Sequence, residues 1–194
     1  MSRRSTAAVI GLLAVAGVAG CSSGSGSSTG STATAPTTST TTEDNPRPAS
    51  SRPRELKLDG RAPCDLLTAD QLTRLDIDRP GKPLEVTALR STGCHWITTR
   101  ASTTLVPVTA EGIEVWTDGK RLGQSEEIDP ISGFRAITVT VASTAHRCDV
   151  MVDTGAGQYL AAGFSVTAPD PSRVPKPCDG ARQLAEAAMQ NLLK

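Results

Sequence analysis

Two histidines, one tyrosine, two tryptophans and two phenylalanines are all that this 194-residue chain has of those types. So few aromatics exclude an extended stacking platform for nucleic-acid bases. Twenty lysines and arginines balance twenty aspartates and glutamates. No basic excess is available for a phosphate backbone, and nucleic acid is not expected as a partner. Also missing are a Cys-x-x-Cys pair, a His-Glu-x-x-His pair and a phosphate-cradling Gly-rich motif, which removes the usual sequence signs of zinc, redox and nucleotide sites. No cofactor and no metal ligand are implied. There is no Asn-x-Ser/Thr sequon. The apolar run from Ala7 to Ala19 covers about 13 residues where roughly 20 are needed to span a bilayer as a helix, so no permanent transmembrane helix is expected.

That short run has another use. Arg3 and Arg4 precede it, and Val18, Ala19, Gly20 and Cys21 close it, the pattern of a signal peptide ending in a lipobox. Residues 1–20 are therefore expected to be removed, leaving Cys21 at the new N-terminus with a diacylglycerol on its thiol. Each buried methylene contributes roughly 0.8 kcal/mol, and two chains give stable anchoring. The predicted location is the extracytoplasmic face of a cell membrane, with the lipid on Cys21 as the membrane contact. A twin-arginine export signal fits less well, because Thr6 stands where an apolar residue usually follows the pair.

From Ser22 to about Pro53 the chain is almost entirely Ser, Thr, Gly, Ala and Pro, too poor in apolar surface to offset the entropy of ordering. Residues 21–53 read as a lipidated cysteine and a tether with a coil dimension of roughly 30 Å. Thr37, Thr38, Thr40, Thr41 and Thr42 offer hydroxyls for O-linked sugars. Residues 54–194, roughly 140 in number, suit a single folded domain.

Four cysteines remain in that domain, Cys64, Cys94, Cys148 and Cys178, and an even number in an oxidising compartment predicts two disulfides. Three pairings are possible. Cys64 with Cys94 and Cys148 with Cys178 are favoured, since they close similar loops of about 30 residues, each contributing roughly 3 to 4 kcal/mol. Thr68 through Gln71 follow the capping-box pattern, so a short helix is expected from about Thr68 to Leu75. Strands are predicted over 84–89, 93–99 and 113–117, a helical or irregular connection over 120–127, and an antiparallel meander over 136–142, 147–153 and 158–166. In the middle of that meander Cys148, Val150 and Val152 alternate toward the core, away from Asp149 and Asp153. Ala181, Leu184, Ala185, Ala188, Met189 and Leu192 form a stripe at helical spacing. The predicted fold is α+β: an antiparallel sheet meander with a short N-terminal helix, a C-terminal amphipathic helix and two disulfides.

The lipobox, the Thr-rich tether, Pro63-Cys64-Asp65-Leu66-Leu67-Thr68, Gly93-Cys94-His95-Trp96, the strand Cys148-Asp149-Val150-Met151-Val152 and Cys178 ahead of an Ala/Leu helix resemble an actinobacterial lipoprotein family known as domain of unknown function 3558. The resemblance implies an envelope lipoprotein of a high-GC Gram-positive organism, in keeping with 15 arginines against 5 lysines. It brings no catalytic residues.

Candidate chemistry is sparse. Gly26-Ser27-Ser28-Thr29-Gly30 matches a nucleophile-elbow pattern, but that motif works only on a strained strand-to-helix turn. His95 or His146 beside Ser91 or Ser143 would be the material for a hydrolase; surface or partly buried structural histidines are the reading preferred. Asp149 and Asp153 are expected to be solvated rather than to bind a cation. Glu126, Glu127 and Asp129 are expected on an exposed loop. Trp96 is expected to pack against the disulfide of Cys94, and Trp116 is the tryptophan that better suits an exposed contact. These readings favour a non-enzymatic binding or accessory module for an envelope protein, lipid or wall component. A cell-wall hydrolase and a structural or antigenic surface protein are the alternatives.

Overall fold

Thr68 caps the first helix through the local chemistry its sequence announces. In the computed structural model, which describes residues 52–194, its hydroxyl accepts from the Gln71 N–H at 3.3 Å, while the Gln71 side-chain oxygen accepts from the Thr68 N–H at 2.9 Å. This reciprocal box starts α1 (Ala69–Arg74). Gln71 is itself buried and donates to the Ala187 carbonyl at 2.8 Å, so the same side chain that caps α1 docks it on the C-terminal helix. The apolar run, Cys21, Gly26–Gly30 and the Thr cluster lie outside the described residues.

Seven strands, β1 (Lys82–Val86), β2 (Ser91–Ile97), β3 (Ala101–Val108), β4 (Gln124–Ile131), β5 (Phe134–Thr140), β6 (Arg147–Gly155) and β7 (Gln158–Val166), form one sheet in the order β1-β2-β3-β7-β6-β5-β4. Every neighbouring pair is antiparallel. Ser132 and Gly133, both at positive φ, make the two-residue turn between β4 and β5, the geometry that matches strand twist in a tight hairpin. The connection from β3 to β4 has to travel from the middle of the sheet to its far edge. It crosses one face, and there it carries the one-turn helix α2 (Glu114–Thr117).

The sheet thus has two buried faces. On one lies the 16-residue α3 (Pro177–Leu192), whose predicted stripe from Ala181 to Leu192 is buried against Trp96, Leu105, Val150, Val152, Leu160 and Phe164. Gly180 lets the helix close on the sheet, because a Cβ there would lie 2.6–2.8 Å from the Phe164 ring. The other face holds a smaller cluster of Val106, Val108, Ile137, Val139, Met151 and Tyr159, covered in part by Ile113 and Trp116 of the crossover. Cys64 bonds to Cys94 and Cys148 to Cys178, each across a separation of 30 residues. The α+β architecture, both terminal helices and both disulfides agree with the sequence reading.

Several element assignments need correction. The segment 113–117 is not a strand: Ile113 and Trp116 turn inward together at a spacing of three, and the Asp118 N–H bonds to the Glu114 carbonyl at 2.8 Å. The helical or irregular connection expected over 120–127 ends early, since β4 begins at Gln124. As an edge strand with most positions exposed, β4 shows no alternation that could reveal it. β3 was not expected at all. It is buried on both sides, so it lacks a polar face, and Pro107 argues against a strand interior; Pro107 lies beyond Leu105, the last β3 residue in register with β2. β1 ends at Val86, and residues 87–89 form a 3₁₀ turn rather than strand.

Candidate functional site

Three small residues shape the crossover face. Gly93 of β2, Ala161 and Gly163 of β7 all project toward it, and strand pairing aligns them with taller neighbours. Leu84 is opposite Gly93, Val106 is opposite Ala161, and Ala161 is opposite Met151. One row across the sheet therefore runs from Leu84 past Gly93, over which Val106 packs, to Ala161 and Met151. With Trp116 of α2 as a side wall, this leaves a groove of about 370 Å³, within the size range of small-ligand sites. Val86 and Leu89 extend its apolar lining, and Leu84 at its open end is 37% exposed.

The adjoining row is polar. His95 is opposite Thr104, Thr104 is opposite Gly163, and Gly163 is opposite Asp149. Arg147 forks onto Asp149 with N–H···O distances of 2.9 and 2.6 Å. The pair lies over Gly163, where a Cβ would come within 2.5 Å of Asp149 Oδ1 and 2.6 Å of Arg147 Nη2. The hydrogen bond to Asp149 raises the Arg147 pKa.

A second guanidinium–carboxylate fork holds the crossover in place. Arg121 donates to both oxygens of Glu111, at 2.7 and 2.6 Å, and to the Ala88 carbonyl at 2.8 Å. Its guanidinium stands 5.5 Å from the centre of the Trp116 ring, within cation–π reach. The fully buried Tyr159 donates its hydroxyl to Glu111 at 2.8 Å, and burial pushes its phenol well above the usual range. Charge-assisted forks of this kind are roughly twice as strong as neutral hydrogen bonds. The Arg121 fork ties the crossover that carries Trp116 to the turn after β1.

The residues nominated from sequence are scattered by comparison. Ser91 donates to the Leu89 carbonyl at 3.0 Å and makes no hydrogen bond to His95. His95 is partly buried on the groove side of β2, and its Nδ1 has no hydrogen-bond partner among the described residues. Ser143 and His146 are exposed near the β5–β6 connection. Asp149 and Asp153 do share a strand face, but Asp153 is not solvated as expected: it is only 5% exposed and sits 3.5 Å from Arg52. Asp149 is partly exposed and is forked by Arg147. Glu126, Glu127 and Asp129 are exposed as expected, but on the edge strand β4 rather than a loop, with Glu127 paired to Arg135. Trp96 packs as predicted: it is 1% exposed, and a Cβ on Gly81 would collide with both Cys94 Sγ and its indole nitrogen. Trp116 is partly buried and lines the groove.

Leu84, Val106, Ala161, Met151, Arg121 and Arg147 were not singled out from sequence. The available signal was Ala161 and Gly163 two residues apart in a strand, which leaves one face without side chains. A smaller cavity of about 50 Å³ lies under the start of α3 against Phe164, Leu184 and Thr103, whose buried hydroxyl has no partner among the described residues. Its volume suits a few waters. No group of three or more metal-ligating side chains occurs among the described residues.

A family model described as "Protein of unknown function (DUF3558)" matches residues 16–191 of this chain. No curated protein and no solved structure matches it.

Proposed function

The chain belongs to the DUF3558 family, and from that premise we propose that it is a non-enzymatic binding lipoprotein of the cell envelope, held outside the membrane by a lipid on Cys21. Its folded domain, carried on the tether, takes up a ligand with an apolar body in the groove of the crossover face. The observation that carries this reading is the groove itself, floored by Ala161 and Gly163 and lined by Leu84, Val106, Met151 and Trp116. An apolar concavity with few polar groups at its edge is what small-ligand sites present, and the Arg121 fork that ties down the crossover supports its side wall.

The uncharged dye N-phenyl-1-naphthylamine tests the groove. Saturable fluorescence enhancement is expected with the wild-type protein, at least about ten-fold weakened by Ala161→Trp, which fills the floor with bulk at an apolar position. Thermal unfolding of the variant checks that the fold survives. Equal binding by wild type and a folded Ala161→Trp would sink the groove reading.

The anchor is tested separately in cells of an actinobacterial host. Wild-type protein is expected in the membrane fraction with a lipid-modified N-terminus, and Cys21→Ala protein is expected to lose the lipid. Cys21→Ala protein that stayed acylated would overturn the anchoring proposal.

A further inference from the structure

We propose that the groove selects an uncharged amphiphile, an acyl chain bearing a hydroxyl-rich neutral head, over the anionic counterpart with the same chain. This rests on the groove being a ligand site and specifies what it holds.

The apolar row from Leu84 to Met151 crosses β1, β2, β3, β7 and β6. With adjacent strands about 4.8 Å apart, Leu84 at one end of the groove and Met151 at the other are separated by four strand spacings, roughly 19 Å, with Val106 and Ala161 as apolar lining between them, a span comparable to an extended medium-length acyl chain. The polar row beside it runs parallel, so an amphiphile lying along that span has its head within reach of Thr104 and the Arg147–Asp149 fork.

The charge arrangement on that face decides the kind of head. Arg121 and Arg147 are the cations lining the groove, and each is already forked by its own carboxylate, Glu111 and Asp149 respectively. The four groups sum to zero formal charge. Lys82, at the outer end of the polar row, is on the exposed edge strand β1. A carboxylate or phosphate head would have to displace Asp149 from Arg147 or lie against it as a like charge, and like-charge juxtaposition is costly. A cationic head meets the same difficulty at the guanidinium.

A hydroxyl avoids both. An aspartate offers about four lone-pair sites and an arginine five N–H donors, so a two-point fork leaves capacity on both partners. The Asp149 and Arg147 side chains keep 24% and 40% of their surface exposed, so that capacity is accessible. Hydroxyls both donate and accept, and can use the carboxylate and the guanidinium without breaking the pair. Thr104 adds a further hydroxyl at the boundary of the two rows.

The test uses 1-monolauroylglycerol and laurate, which share one chain, as competitors for N-phenyl-1-naphthylamine on the full folded domain at neutral pH and below their aggregation concentrations. The glyceride is expected to displace the dye at a concentration about ten-fold lower than laurate. Asp149→Asn frees the Arg147 charge and is expected to bring laurate level with the glyceride or ahead of it. Arg147→Gln leaves Asp149 uncompensated and is expected to widen the gap, so the two variants move the ratio in opposite directions and do not depend on either one alone. Laurate binding as tightly as the glyceride in the wild type, or a ratio unmoved in both variants, overturns the selectivity while leaving the groove in place. Dye binding that neither lipid displaces also overturns it. Absence of saturable dye binding removes the groove reading and this inference with it.

Discussion

Replacing Cys148 and Cys178 together by alanine is expected to lower the unfolding free energy by about 2–5 kcal/mol. The bond joins β6 to the second residue of α3, and Cys148 is completely buried. Without it the unfolded chain regains the freedom of a 30-residue loop, while the apolar stripe of α3 still docks on the sheet. The variant should therefore fold but lose its margin. Cys64→Ala with Cys94→Ala opens a loop of the same length, so chain entropy alone assigns the two bonds equal contributions. Any difference between the variants then measures the packing each bond organises. Urea unfolding with and without reductant reads both effects, and a midpoint unmoved by reductant would mean that the bonds do not stabilise the fold.

Leu184→Ala is expected to cost about 2–5 kcal/mol, toward the upper end of that range. Leu184 is 1% exposed in the main core, and it already borders the small cavity beneath the start of α3. Truncation joins new empty space to an existing void, and the rigid sheet beneath cannot collapse to fill it. Gln190, on the exposed side of the same helix, is the control, and Gln190→Ala should stay within about 0.5 kcal/mol of wild type. A Leu184→Ala cost no larger than that of the control, measured by urea unfolding, would contradict the docking of α3 on the sheet.

Local signals in the sequence carried unequal weight. The capping box at Thr68 and Gln71 was legible because it is a contact between residues three apart. The late meander was legible because β5 and β6 carry β-branched residues and a glycine turn at Gly155 and Gly157 follows them. β3 and β4 escaped for opposite reasons. β3 is buried on both faces and so has no alternation to display, whereas β4 is exposed along most of its length and displays none either. Of the groove lining, the sequence points only to Trp116 and Asp149, and their neighbours are invisible in it because no single strand contains the groove.

The sequence by itself determined the elements whose partners are close along the chain or whose faces are uniform: the capped α1, the hairpins from β5 to β7, the apolar stripe of α3, and an even set of cysteines for two bonds. Only the tertiary structure decided that β3 lies beside β7, which brings Val106 against Ala161 and Thr104 against Gly163. That choice makes the groove, and it lies beyond local pattern because pairing between strands more than 50 residues apart is settled by how α3 and the crossover together cover the two faces of the sheet.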